Sequence, residues 1–395
     1  MSVAFTSIKG LTYYDSRKAC LGATLLTPVD GTGVWLIDME GRLVNYWEIG
    51  YKPGCYGELL PNGNLLYAGK IEDGTLADLE GAGGILLEVN WNGKVIWEYR
   101  DSYFHHAFYR MKNGNTLILK WVKVPNEIAV KVKGGMPRTE REGVMWGDII
   151  QEITPQGRIA WEWIGHEHLD PLTSVICPIC FRDTWTHANS IVELADGNIL
   201  VNFMKTNTIA KIDKKTGKVS WEWGPHELAH PHSLSELDNG NILIFDNGLH
   251  CPHGYATNGE SSSRVLEINP SNNKIAWLYW RWLDPFGSFY SPTLSSCQRL
   301  PNGNIFICEG ITGRLFEVTP RGDDLVWEYV NGLPSYEASP IRSKYCPVYA
   351  AYRYEMDYSG LRRPLPVPEA RQAAPGTPVE AATALQPRLE ALGYY

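Results

Sequence analysis

Along most of this chain, apolar and polar residues alternate in short runs broken by turn residues, the period-2 pattern of half-buried β-strands. One unit of the pattern recurs six times. It ends on a tryptophan: LVNYWEI at Trp47, KVIWEY at Trp97, RIAWEW at Trp161, KVSWEW at Trp221, KIAWLY at Trp277 and DLVWEY at Trp327. Each copy follows a second alternating run across a turn, as in ILLEVNWNGKVIWEY and IAKIDKKTGKVSWEW, so each is an antiparallel hairpin. In five copies another hairpin stands ahead, folded at NGN or DGN: 59–69, 110–119, 193–203, 236–245 and 299–308. Asn-Gly and Asp-Gly supply the positive φ values that tight hairpin turns require.

Two hairpins make four strands, and the Trp-to-Trp spacing of 50 to 64 residues is the length of a propeller blade with insertions. The pattern therefore predicts an all-β fold, a six-bladed β-propeller with four antiparallel strands per blade over residues 1–360, followed by a tail at 361–395. The first copy has GATLLTP (22–28) ahead of its hairpin but no NGN turn. Its missing inner strand is expected from YCPVYAAYRY (345–354), so that both ends of the chain close the ring. Residues 364–391 carry six prolines with little periodicity and read as a surface-wrapping or disordered tail.

Composition narrows the function. With 36 basic against 44 acidic side chains, the net charge of −8 offers no electrostatic grip on a phosphate backbone, so nucleic acid is not an expected partner. No window approaches 18 consecutive apolar residues and the N-terminal sequence lacks the regions of a secretory signal, which predicts a cytoplasmic protein without a membrane span. Eight cysteines without a small-scaffold spacing are expected to be mostly reduced. No Walker loop, dinucleotide fingerprint, HExxH or GxSxG is present. Oligomeric state is left open.

Polar chemistry collects at one rim. If the strands of a blade are lettered A to D, the A–B and C–D turns share one rim, and the B–C and D–A connections share the other. The long insertions 121–146, 164–186 and 247–263 fall on that second rim, as functional lids do. Aligning the five NGN copies makes Cys55, His106, Asn189, His232 and Ser295 equivalent at the start of strand A. Two residues earlier, on the same face, stand Pro53, Phe104, His187, His230 and Thr293. His106, His187, His230 and His232 are thus expected to converge at the axial mouth, with His105 adjacent and His250 and His253 on the same rim. Apolar residues would fill such positions at lower desolvation cost, so the cluster points to a functional site; a polar plug holding bound water is the plainer alternative. Trp97, Trp161 and Trp221 read as packing between blades. Cys177 and Cys180 have CxxC spacing, open to zinc or to a lid disulfide, with Cys251 and His253 able to complete a metal site. The charged segment 131–142 reads as solvated.

The sequence also resembles the bacterial arylsulfate sulfotransferases, a six-bladed propeller family. The resemblance runs from about residue 20 to 330, through GATLLTPVDGTGVWLIDMEGRLVNYWE, HHAFYRMKNGNTLIL, THANSIVELADGNILVNFMKTNTIAKIDKKTGKVSWEWG, HPHSLSELDNGNILIFDNG and LPNGNIFICEGITGRLFEVTPRGDDLVWEY. It implies that a histidine attacks the sulfur of an aryl sulfate and that a phenol then takes the sulfuryl group from the sulfohistidine, with no cofactor required. Carried over by motif, the nucleophile falls on His232, acid/base help on His187 and His106, and substrate contacts on Asn189 and His105. The family's arginine 18 residues after the HxNS histidine is Lys205 here, which keeps the charge but not the two-point grip on sulfate oxygens. Trp121, Trp185 and Tyr290 are the aromatic residues expected to stack on a small aromatic substrate.

Two other readings use the same residues. His106, His187, His230, His232, His250 and His253 suit a zinc, copper or iron ion with an open coordination position, for hydrolase, lyase or oxidoreductase chemistry. A noncatalytic propeller that binds a partner on its rim would leave the cluster incidental.

Overall fold

The computed structural model describes residues 9–29, 31, 33–250, 262–280, 289–332, 346–362 and 372–373, and the hairpins pair as expected into the six antiparallel sheets of a β-propeller. The first blade is Val348–Glu355, Gly22–Pro28, Gly33–Ile37 and Leu43–Glu48, so its strand A does come from the C-terminal side. The second is Pro53–Leu59, Leu65–Lys70, Gly84–Val89 and Val95–Arg100; the third is Phe104–Arg110, Thr116–Lys123, Trp146–Ile153 and Ile159–Ile164. The fourth is Ala188–Glu193, Ile199–Phe203, Thr208–Ile212 and Val219–Trp223, and the fifth is His232–Glu236, Ile242–Asp246, Arg264–Asn269 and Lys274–Tyr279. The sixth, Ser296–Arg299, Ile305–Glu309, Arg314–Val318 and Leu325–Val330, is extended by Gly10–Asp15 and Gln372–Ala373. That N-terminal strand was not expected. It pairs with Leu325–Val330 and so covers an outer edge that would otherwise expose unpaired backbone groups. Of the tail, only Gln372–Ala373 and the residues up to 362 fall among the described residues.

By proximity the chain separates into two compact units, Met1–Lys70 with Leu86–Glu98 and Thr293–Tyr395, and Ile71–Ile85 with Tyr99–Pro292. In the first, a core of Tyr14, Leu26, Trp35, Phe306, Leu315 and Trp327 surrounds buried Arg353. Arg353 is paired with Glu317 at 3.3 Å and bonded to Thr24 Oγ1 and the carbonyl of Cys20, which offsets the desolvation of its charge. In the second unit, Leu194, Leu200, Ile209, Leu228, Leu234, Ile244 and Leu266 fill the space between the fourth and fifth blades.

The repeat has a physical job in each unit. The strand-D tryptophan donates its indole N–H to the C–D turn of the next blade: Trp47 to the Asn90 carbonyl at 3.0 Å, Trp161 to Lys214 at 2.9 Å, Trp221 to Asn273 Oδ1 at 2.8 Å and Trp327 to Met39 at 2.8 Å. These residues are therefore the ties between blades. The NGN turn is equally tied, because both asparagine amides donate to one strand-C glutamate: Asn62 and Asn64 to Glu88, Asn113 and Asn115 to Glu152, Asn239 and Asn241 to Glu267. In the fourth blade the turn is DGN, and the strand-C partner is a lysine: Lys211 bonds Asp196 at 2.6 Å. The charge has been exchanged across the same contact.

Trp327 is fully buried, so Trp327→Phe strands the Met39 carbonyl without its donor and leaves unfilled volume. A loss of about 1–3 kcal/mol is expected, measured as a lowered denaturation midpoint. Trp161→Phe, at a half-exposed ring where water replaces the donor, should cost less.

Candidate functional site

Three of the predicted histidines near the strand-A starts hold a backbone conformation that L-residues rarely adopt. His106, His187 and His230 have φ of 47°, 52° and 55°, a strain of order 1–3 kcal/mol each that the surrounding structure must hold in place. Each lies at or just before the start of a strand A whose ladder shifts register: opposite Ile118/Leu119 in the third blade, at Ala188/Ser190 in the fourth and at His232/Leu234 in the fifth. Such bulges re-aim side chains at strand ends. His106 also needs Gly81 beside it. A Cβ there would lie 1.8 Å from the imidazole Cε1, and the Gly81 carbonyl accepts the His106 N–H at 2.9 Å.

His105, His106 and His187 form one buried group with Trp121. The His105 ring stacks on Trp121 at 3.6 Å, and His106 meets His187 edge-on at 4.6 Å. Behind them stands Asp148, fully buried on strand C of the third blade. One of its carboxylate oxygens accepts from Thr186 and from the Ala188 N–H; the other lies 3.2 Å from His105 Nε2, at an angle too bent for a full-strength hydrogen bond. This arrangement sets the tautomers. The Asp148 carboxylate favours the His105 tautomer with its proton on Nε2; in that tautomer Nδ1 accepts from the Nδ1–H of His106, 2.9 Å away, and His106 keeps a lone pair on Nε2. His187 is anchored by Thr184 Oγ1 at Nδ1 (3.0 Å), and its Nε2 is buried with no partner.

His232 is half-buried and differently held. Its Nδ1 lies 2.7 Å from Asn247 Oδ1 and 3.2 Å from the His230 carbonyl, both acceptors, so the proton sits on Nδ1 and Nε2 carries the lone pair. The amide of Asn247 cannot be reversed, because its Nδ2 donates to the Ser291 carbonyl at 2.7 Å. Asn189 donates to the Pro231 carbonyl and accepts from Asn202, which fixes the residue just before His232.

Burial pushes His105, His106 and His187 below the usual imidazole range, opposed at His105 by Asp148 and reinforced at His106 and His187 by their imidazole neighbours. His232 is pushed down to about 4, again chiefly by burial. The site is therefore an assembly of neutral imidazoles at neutral pH. The stability consequence has a definite sign. Between the lowered folded values and the ordinary value of 6.5, the unfolded chain binds more protons than the folded one, so stability falls as pH drops below about 6.5 and is insensitive to these groups above it. Thermal midpoints should show that fall, and His106→Asn together with His187→Asn should flatten it; an unchanged slope in the double variant would contradict the assignment.

The other expected residues are placed as follows. Lys205 is buried and paired with Asp183, and donates to the Phe181 carbonyl at 3.0 Å. Trp185 lies inside the lid, its indole N–H on the Ser174 carbonyl at 2.8 Å. Tyr290 is half-buried between Phe289 and Ser291. The lid segments themselves pack as a small layer: Gly134–Met136 pairs in parallel with Ile176–Phe181, over a core of Val124, Val132, Met145, Ile176 and Trp185. Arg182 fastens it, bonding Glu140 and the carbonyls of Ala129, Val132 and Gly134. His230 and His250 do not join the other imidazoles but meet Cys177 and Cys180. Among the described residues this is the one group of three or more histidine, cysteine or acidic side chains near enough to share an ion. Cys251 and His253 lie outside the described residues.

Asp148 and Asn247 were not anticipated. A carboxylate at Asp148 in the apolar strand MWGDIIQEI, away from the Glu152 position that serves the NGN turn, was the available signal for the first, since an ionised group in such a strand must be satisfied by partners.

In overall path the chain is similar to a protein of unknown function from Bacteroides caccae (TM-score 0.53, 14% identity, 84% of this chain and 98% of that one). It is also similar to the virginiamycin B lyase of Staphylococcus aureus (TM-score 0.42, 13% identity, 83% and 90%) and to hydrazine synthase of Kuenenia stuttgartiensis (TM-score 0.42, 12% identity, 75% and 77%). At 14% identity the likeness to the Bacteroides caccae protein is one of fold. No curated protein sequence matches significantly. The family model described as Arylsulfotransferase (ASST) matches residues 59–332, which hold the histidine group, the lid and His232 with Asn247, and the chain belongs to that family.

Proposed function

We propose that the protein moves a sulfuryl group from an aryl sulfate to a phenolic acceptor through a sulfohistidine on His232. One observation carries the reading: Asn247, itself oriented by the Ser291 carbonyl, holds the His232 proton on Nδ1 and leaves Nε2 as a neutral nucleophile on a half-buried ring. In the first step the Nε2 lone pair attacks sulfur, an N–S bond forms, and the S–O bond to the aryl group breaks. The departing phenolate accepts a hydrogen bond from the Nε2–H of the neutral His187 ring and takes its proton from solvent. In the second step His106 Nε2 takes the proton of the acceptor phenol as its oxygen attacks sulfur and the N–S bond breaks. The charge so gained by His106 is shared with His105 and faces Asp148.

Lys205 has three ammonium donors, two of them on Asp183 and the Phe181 carbonyl, so one remains for a sulfate oxygen. Its field is reduced by Asp183, and the imidazole N–H groups must supply part of the stabilisation. Since Trp121 is faced by His105 and Trp185 is enclosed in the lid, Tyr290 is the one of the three expected rings left to meet a phenolic ring. Mixing the protein with an aryl sulfate and no acceptor should release phenol in a burst of about one equivalent, and varying donor and acceptor should give parallel double-reciprocal lines. Intersecting lines without a burst would exclude a covalent intermediate.

A further inference from the structure

We propose that Cys177, Cys180, His230 and His250 bind a zinc ion that pins the lid to the two segments carrying His232 and Asn247. The four donor atoms, two sulfurs and two ring nitrogens, all lie within 4.8 Å of one another. Cys180 Sγ is 3.3 Å from His230 Nε2 and 3.5 Å from His250 Nδ1, and Cys177 Sγ is 3.6 Å from the same Nδ1. A zinc ion with bonds of about 2.3 Å to sulfur and about 2.0 Å to nitrogen spaces its tetrahedral ligands ~3.3–3.8 Å apart. These three separations are those of the edges of such a tetrahedron, and the donor set, two thiols with two imidazoles, is the one zinc takes in preference to hard-oxygen metals.

The surroundings suit a bound ion as well. Cys177, Cys180 and His230 are buried, and the two cysteines stand in the apolar core of the lid. His230 adopts φ 55° and His250 φ 58°, conformations that need an external hold. The His230 backbone N–H is bonded to Asn207 Oδ1 at 2.8 Å, which steadies the ligand from behind.

Four protein ligands close the coordination shell and leave no position for substrate, so the metal acts on structure and not on the reaction. Its place explains why it matters. His230 lies two residues before His232, and His250 lies three residues after Asn247. The ion would therefore clamp the backbone beside both members of the hydrogen bond that fixes the His232 tautomer, and join them to Ile176–Phe181 of the lid. Nothing in this assignment depends on which reaction the protein performs.

The test is the metal content of the purified full-length protein by elemental analysis. About one equivalent of zinc is expected, retained in Cys251→Ser and His253→Ala and lost in Cys177→Ser with Cys180→Ser. If that double variant fails to fold, the wild-type protein suffices: cobalt(II) exchanged for zinc should give the visible bands of a tetrahedral site together with a thiolate-to-cobalt absorption. Chelation should lower the thermal midpoint and added zinc restore it. Zinc-free protein that takes up neither zinc nor cobalt, a disulfide between Cys177 and Cys180, one equivalent of a different metal, or zinc lost on changing Cys251 or His253 would each overturn the assignment.

Discussion

Asp148→Asn is expected to leave formation of the sulfohistidine largely intact and to slow its discharge to a phenol by about 10^2- to 10^4-fold, the usual worth of a general base. The backbone N–H of Ala188 faces one carboxylate oxygen and compels an asparagine to keep its own oxygen on that side, with Thr186 beside it. The amide nitrogen then points at His105 Nε2. A donor in that place forces the His105 proton to Nδ1, where it must be given to His106 Nδ1, and His106 is left with a proton on Nε2 and no base. The side chain keeps its volume and its other bonds, so folding is little affected. A burst of phenol release of normal size, followed by a slow steady state, is the signature in rapid-mixing assays. Equal slowing of both phases would mean that Asp148 does not act through His106.

His232→Ala should have the larger effect, reducing turnover to background, a loss on the order of 10^6-fold for removal of a nucleophile. Among the described residues, His106 Nε2 serves the acceptor phenol as base on this path, and the rings of His106 and His187 are both more enclosed than the half-buried ring of His232. His232 is half-buried and its ring is held by Asn247 and a backbone carbonyl, so the substitution removes little packing. The denaturation midpoint should stay close to that of the parent protein. Asn247→Leu should fall between the two, because it keeps the imidazole but releases its proton to either nitrogen.

The blades were legible because their pattern is local: alternation, an Asn-Gly turn and a tryptophan slot each leave a mark within a few residues. The equivalence of Cys55, His106, Asn189, His232 and Ser295 followed from a fixed offset to the turn, and that offset does put His106 and His232 at the start of their strands. What stayed hidden depends on partners far away in sequence. The charge of Lys205 is offset by Asp183, a lid residue 22 positions earlier. Trp121 finds His105, and Trp185 finds Ser174, so both rings are committed within the protein. Cys177 and Cys180 were read with Cys251 and His253 as companions, but the imidazoles beside them are His230 and His250, from two different connections of the fifth blade. The strand-A ladders beside His106, His187 and His230 shift register in all three blades, which period-2 reasoning does not detect. The strand Gly10–Asp15 was missed because GLTYYD lacks a hairpin partner nearby; its partner, Leu325–Val330, is over 300 residues away.

The most direct measurement is mass spectrometry of the intact protein after exposure to an aryl sulfate in the absence of any phenol, followed by mapping of the adduct. A single added sulfuryl group, located on the imidazole of His232 and discharged when phenol is supplied, is the predicted result. Turnover that proceeds with the protein never carrying the group, or a group found on a different side chain, would contradict the account.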